Sequence, residues 1–246
     1  EPFFQVYGAD NPDPEPGQAE VADAFWNRKE ACIELMKMRD IYGKKLQCIV
    51  HGDLHTSNTL ISPTEMKVID MEYPHMGPFS ADSGYLLGNI VYPYAAWFFH
   101  PEWNEDKRAA YREEMLGYIE GMLDEYIAVF SECWKQSVRP IFKRYPEYLA
   151  SLLLDFLQET AGFMGSQVGS RAGGYTETFD FDVLPDARRR NMARGLALAI
   201  GYALLMRRGS VRCPADITAI IRETAEAFMG NPLKGAAVIG NFSGAL

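Results

Sequence analysis

Ile49-Val50-His51-Gly52-Asp53-Leu54-His55-Thr56-Ser57-Asn58-Thr59-Leu60-Ile61, continued by Met66-Lys67-Val68-Ile69-Asp70-Met71-Glu72, is the stretch on which the reading of this chain turns. A short apolar run (Leu46, Cys48, Ile49, Val50) delivers His51 and Asp53 into a tight loop, and a second run carries the chain away from Asn58. A third run ends at Val68 and Ile69, where Asp70 stands. The pattern predicts strand, loop, strand, a turn at Ser62-Pro63-Thr64, and strand. Its polar groups therefore sit at the ends of rigid elements.

The residue types point to phosphate chemistry. A hydroxyl that attacks a γ-phosphoryl group needs a carboxylate to orient it and take its proton, and Mg²⁺ needs hard oxygen ligands that leave room for phosphates. Asp53 suits the first task, and Asn58, Asp70 and Glu72 suit the second. The Asp53-to-Asn58 spacing is that of the Asp-x-x-x-x-Asn half of a kinase catalytic loop, and Asp70 follows one hairpin later, where kinases hold the metal.

His-Gly-Asp-Leu-His-Thr at 51–56 followed by Ile-Asp-Met-Glu at 69–72 resembles the aminoglycoside phosphotransferase and choline kinase superfamily, and within it the 5-methylthioribose kinases. Gly77-Pro78, Asp82-Ser83-Gly84, Leu87-Gly88-Asn89 and Gly162-Phe163-Met164-Gly165 are similar to further positions of that family, so the likeness runs from about His51 to at least Arg171. It implies ATP and Mg²⁺ as cofactors, Asp53 as catalytic carboxylate, and a small sugar or alcohol as acceptor. It also implies substrate contacts from His55 and Arg171, and structural support from His51 and Asp82. The chain departs from the family in carrying Ser57-Asn58 for a Gly-Ser pair, Ser170-Arg171 for an Arg-Arg pair, and Met71-Glu72-Tyr73-Pro74-His75 for a more apolar segment. These departures bear on the acceptor.

A kinase of this type covers its phosphates with a glycine-rich loop and positions them with a Lys-Glu pair. Nothing of that kind precedes His51, and Glu1-Pro2-Phe3-Phe4 looks like the region just after a lobe-connecting hinge. The expectation is an α+β fold: a mostly helical C-terminal lobe of a protein kinase-like fold, with a small β hairpin carrying the catalytic loop. It spans 1–246 without its nucleotide lobe, ends in a loose tail at 230–246, and by itself is inactive.

The composition fits a water-exposed globular piece: 246 residues, 48% hydrophobic, are enough for one sizeable core. Against 33 acidic residues there are 24 basic ones, a net charge of −9, which argues against a nucleic-acid surface. No apolar run approaches the roughly 20 residues that span a bilayer, the run Tyr92 to Phe99 being short and broken by Pro93, and the acidic first residues resemble no secretion signal. A cytoplasmic location is the default, with homodimerisation left open. Cys32, Cys48, Cys133 and Cys213 form no close pair, so neither a zinc ribbon nor a disulfide framework is indicated.

Helices dominate the rest. Phe25, Cys32, Ile33 and Met36 recur at helical spacing before Gly43 ends the segment, and an apolar helix runs from Ala81 to about Phe99. Glu105 to about Ser137 reads as a long amphipathic helix with Tyr111, Met115, Tyr118, Met122 and Tyr126 on its apolar side. Tyr148 to Gly165, Pro185 to Arg208, and a segment starting at Pro214 follow, with a loop from Gly169 to Asp182. Blander readings exist: His51 as a loop-fixing hydrogen bonder, Glu72 as a solvated strand-end charge, Arg207 and Arg208 as ordinary cations at a helix C-terminus. Two rival functions also stand. One is a metal hydrolase built on His51, Asp53 and His55, which share a face on extended backbone; the other is a kinase-like lobe kept only for binding.

Overall fold

The structure, a computed structural model, describes residues 17–175 and 178–230. The expected hinge-like start and loose tail lie outside the described residues. Two helices open the described chain, α1 (Gln18–Trp26) and α2 (Lys29–Lys44). The sequence reading ran them together; Asn27 and Arg28 separate them, and Gly43 lies inside α2 rather than ending it. The buried stripe of α2 is Ala31, Leu35 and Met38, spaced by four and three, whereas Ile33 and Met36 face solvent.

Next come the short strands: β1 (Cys48–Val50), β2 (Thr59–Ile61), β3 (Met66–Val68) and β4 (His75–Gly77). The turn after Ser62 closes β2 on β3 in antiparallel register, Thr59 opposite Val68 and Ile61 opposite Met66. β4 was not anticipated; it pairs antiparallel with β1, Cys48 opposite Gly77 and Val50 opposite His75. The loop from His51 to Asn58 thus joins two small sheets instead of belonging to one hairpin. Three-residue strands of this kind gain little by themselves, and the helices beneath them supply the support.

Those helices are α3 (Ser80–Ala96), α4 (Glu105–Ser137), α5 (Pro140–Lys143), α6 (Pro146–Ser170), α7 (Phe179–Asp182), α8 (Ala187–Arg207) and α9 (Pro214–Gly230). Local chemistry sets several ends. The Asn104 side chain accepts the Lys107 N–H at 3.0 Å ahead of Glu105 and Asp106, and Pro146 opens α6 where a missing N–H costs nothing. In α4 the buried stripe is Leu116, Ile119 and Leu123, one residue round from the one read in the sequence, and Tyr118 and Met122 are exposed. Pro93 is accommodated within α3 near its end. Within the predicted Gly169–Asp182 loop, α6 runs on to Ser170, Arg171–Tyr175 widen into a π-helical turn, and Phe179–Asp182 form α7. Among the described residues no helix is long and apolar enough to cross a membrane.

The core is a helical stack in which α6 lies between α3 and α8, centred on Leu87, Phe156, Phe163, Leu196, Ile200 and Leu204. Glycine lets the backbones approach. A Cβ on Gly84 of α3 would stand 2.3 Å from the Cβ of Phe163 on α6 and 3.0 Å from the Thr160 carbonyl. Gly84→Ala should therefore push α3 off α6 and lower stability by about 1–3 kcal/mol. Urea unfolding with an unchanged m-value and a lower midpoint is the expected result; an unaltered midpoint would mean the two helices shift freely. A polar tie reinforces this floor from the strand side. Lys45 pairs with Glu159 and, at 3.1 Å, with Asp155, while the Ser80 hydroxyl donates to Glu159 at 2.8 Å.

Candidate active site

The loop from His51 to Asn58 is fixed by hydrogen bonds from three sides. From below, the Asp82 carboxylate, on the first turn of α3, accepts the backbone N–H groups of His51 at 2.6 Å and Gly52 at 3.1 Å. From within, the His51 ring accepts the Asp53 N–H at Nδ1 (3.3 Å), which leaves Nε2–H to donate to the Ile69 carbonyl at 2.9 Å. At the far end, the Asn58 side chain donates to the Asp53 carbonyl at 3.1 Å, and the Asn58 carbonyl accepts the Ile69 N–H at 3.0 Å. Both polar groups of the Ile69 backbone are thereby clamped to the loop. Asp70 is held beside Asn58 as a consequence.

Gly52 is required at its position. Its φ is +86°, and a Cβ there would lie 2.4 Å from the Tyr73 carbonyl oxygen. Asp70 also has positive φ, 63°, the one non-glycine residue so placed among the described residues. Aspartate tolerates this region better than most, and such backbone is over-represented at functional sites.

The structure brings the sequence-predicted residues together in a graded way. His51 and Asn58 are buried, with both His51 ring nitrogens and the Asn58 amide nitrogen bonded to the loop and its neighbours. Asp53 keeps its carboxylate 46% accessible, and the His55 Nε2 stands 3.6 Å from it, with His55 itself largely covered. Burial lowers the His55 pKa, and the nearby Arg171 guanidinium lowers it further against the opposing pull of Asp53. Arg171, at the π-helical turn that ends α6, is thus electrically within reach of the loop. Glu72 is exposed two residues past Asp70, and its charge raises the pKa of the Tyr73 phenol.

Hard oxygen donors for Mg²⁺ are available on one edge. The Asn58 amide nitrogen is committed to the Asp53 carbonyl, so its side-chain oxygen is the atom left for a ligand, and the Asp70 carboxylate is solvent-exposed beside it. Two such donors plus phosphate oxygens and water fit Mg²⁺. Among the described residues no group of three or more His, Cys, Asp or Glu side chains could hold a metal ion. The hydrolase alternative loses its first ligand, because both nitrogens of His51 are occupied by backbone.

Sequence reasoning missed Tyr42. Its ring packs 5.1 Å from His75 and 6.1 Å from Phe163, and burial, with the charges of Asp82 and Asp53, pushes its phenol up to about 12. The only sequence signal was an aromatic residue just ahead of the first strand. His75, named in the sequence only within the Met71–His75 departure, donates from Nδ1–H to the Tyr73 carbonyl at 2.9 Å, and its ring lies 3.3 Å from the space that a Gly52 side chain would take.

Residues 5–122 match a family described as the phosphotransferase enzyme family. The chain is 25% identical over 226 residues to a methylthioribose kinase of Bacillus pumilus, a match covering 92% of this chain and 54% of that protein. It is 28% identical over 207 residues to a methylthioribose kinase of a Geobacillus strain, covering 82% of this chain and 48% of that one. With methylthioribose kinase 2 of Oryza sativa the identity is 28% over 187 residues, 72% of this chain and 44% of the relative. The resemblance to the methylthioribose kinases, within the phosphotransferase superfamily, thus holds along most of the chain. The chain spans about half the length of the curated relatives it matches.

Proposed function

We propose that these residues form the acceptor half of an ATP- and Mg²⁺-dependent kinase for a small sugar, S-methyl-5-thioribose or a close relative. The observation that carries the reading is Asp53: an accessible carboxylate at the tip of a loop whose backbone is pinned by Asp82, His51 and Asn58. A pinned carboxylate accepts a hydroxyl proton without reorganising, and positioning is most of what phosphoryl transfer asks of a protein. His55 fills the space beside Asp53, its Nε2 3.6 Å from the carboxylate. Arg171 offers a rigid donor fork to acceptor oxygens. Asn58 and Asp70, with Glu72 nearby, are the donors that would hold Mg²⁺; when bound, the ion neutralises charge on the phosphates. Asp70→Ala should weaken Mg²⁺-dependent ATP binding at least tenfold while leaving metal-free nucleotide binding unchanged. Titration calorimetry with and without Mg²⁺ reads the difference, and equal affinities for both proteins would remove Asp70 from the metal site.

Phosphate cover belongs to the other half of such an enzyme. No strand precedes β1 among the described residues, and one face of the β2–β3 ladder exposes Ile61, Met66 and Val68, an apolar strip suited to a second lobe. The 246 residues alone should accordingly transfer little or no phosphate.

A second reading, an aminoglycoside- or choline-type kinase, is favoured by Asn58 and by the single Arg171 in place of an Arg pair. Specificity constants separate the two. The sugar reading expects methylthioribose to exceed ribose and choline; choline or an aminoglycoside in first place supports the alternative.

A further inference from the structure

The segment that carries Asp70 and Glu72, residues 69–74, runs exposed between β3 and β4, so packing does little to hold it. Its two ends are held by imidazoles. His51 donates from Nε2–H to the Ile69 carbonyl at 2.9 Å, and His75 donates from Nδ1–H to the Tyr73 carbonyl at 2.9 Å. The two carbonyls stand one residue before Asp70 and one residue after Glu72. β4 delivers His75 to this place, because its register sets His75 opposite Val50, the residue ahead of His51. The Tyr73 carbonyl oxygen is also the atom 2.4 Å from where a Cβ on Gly52 would stand, so the far end of the segment rests against the loop that carries Asp53. The rest of the His75 ring makes contacts that a phenyl ring could make as well: Tyr42 at 5.1 Å between centroids, and the space beside Gly52 at 3.3 Å. Its Nε2 is buried and has no hydrogen-bond partner among the described residues. A buried, unpaired nitrogen costs the fold stability. What histidine adds over phenylalanine at 75 is therefore the bond to Tyr73.

We propose that His75 is a positioning residue for the Mg²⁺ donors Asp70 and Glu72, fixing their segment at Tyr73 as His51 fixes it at Ile69. The proposal rests on the reading of Asp70 and Glu72 as metal donors given above. Donors on an exposed segment lose conformational freedom when a metal draws them together, and a segment held at both ends beforehand loses less. The benefit of the Tyr73 bond therefore shows when the metal binds. In the metal-free protein it is small, since the exposed Tyr73 backbone can turn to water instead.

The test measures ATP affinity with and without Mg²⁺ by titration calorimetry, in the enzyme that contains these residues and in its His75→Phe, His75→Asn and Asp70→Ala variants, with the thermal midpoint of each recorded. Phenylalanine keeps the ring and removes the donor; asparagine removes the ring and places an amide N–H where Nδ1–H stood. The expected result for His75→Phe is a loss of about threefold to tenfold in affinity for Mg²⁺-ATP, unchanged metal-free ATP binding, and a midpoint that does not fall. His75→Asn should hold its Mg²⁺-ATP affinity within about twofold of the parent. A lower midpoint in His75→Phe, with equal losses in the presence and absence of Mg²⁺, means a structural role alone and overturns the proposal. An asparagine variant as weak as the phenylalanine one overturns it too, because the bond to Tyr73 is then not the cause. Parent-like Mg²⁺-ATP affinity in His75→Phe, with Asp70→Ala impaired, overturns it while leaving the metal donors in place. Parent-like affinity in both overturns both.

Discussion

Asp53→Asn is expected to reduce phosphate transfer, in the enzyme that contains these residues, by about 10²–10⁴-fold in kcat. Affinity for Mg²⁺-ATP and the unfolding midpoint should hardly change. The reason is in the division of labour within the loop. Asn58 bonds to the Asp53 backbone carbonyl and His51 to the Asp53 N–H, so the conformation at 53 is set by main-chain contacts and survives loss of the side-chain charge. The carboxylate itself is accessible and has only His55, at 3.6 Å, as a near neighbour. An amide of the same shape keeps the geometry but cannot take a proton. ADP release from the variant, measured with saturating acceptor, reads the effect; a kcat within a few-fold of the parent would remove Asp53 from the mechanism.

The second large effect belongs to Asp82. Asp82→Ala withdraws an ionised acceptor from two backbone N–H groups, at His51 and Gly52, of which the first belongs to a buried residue. Hydrogen bonds to charged groups are worth about 1.5–3 kcal/mol each, so a loss of about 3 kcal/mol or more is expected together with disorder of the loop and loss of turnover. Asp82→Asn should fall between the two, because its amide has one acceptor oxygen where the aspartate uses both. Denaturant midpoints of the three proteins should rank aspartate, asparagine, alanine. An alanine variant as stable as the parent would show that the loop is pinned from elsewhere.

Much of this site was legible in the sequence because its residues are close in the chain and of types with narrow chemistry. Asp53, Asn58 and Asp70 fall within one loop and one hairpin, and the loop bends where Gly52 alone can adopt the needed φ. The long helix α4 was legible to its ends, since Asn104 caps it and Lys135 closes it. Its buried face was misplaced by one residue because tyrosine and methionine, amphipathic or adaptable, are tolerated on the half-exposed flank beside Leu116 and Ile119. β4 left no signal, being three residues that include glycine and acquire strand geometry only by pairing with β1. Tyr42 and Tyr92 were invisible for a different reason. Each acquires its role from contacts between segments far apart in sequence, such as the 75-residue separation between Tyr92 and Gln167, and periodicity carries no record of such contacts.

Where a sugar acceptor sits on the chain tests the account most directly. Adding methylthioribose to the ¹⁵N-labelled 246-residue chain should shift the backbone amide signals of Asp53, His55 and Arg171 together and saturably, and leave those of α9 unchanged. The same shifts should be absent when choline replaces the sugar. Saturable shifts confined to the apolar cavity of about 370 Å³ between α3 and α4, lined by Leu54, Leu86 and Met122, or no shifts at all at high sugar concentration, would contradict it.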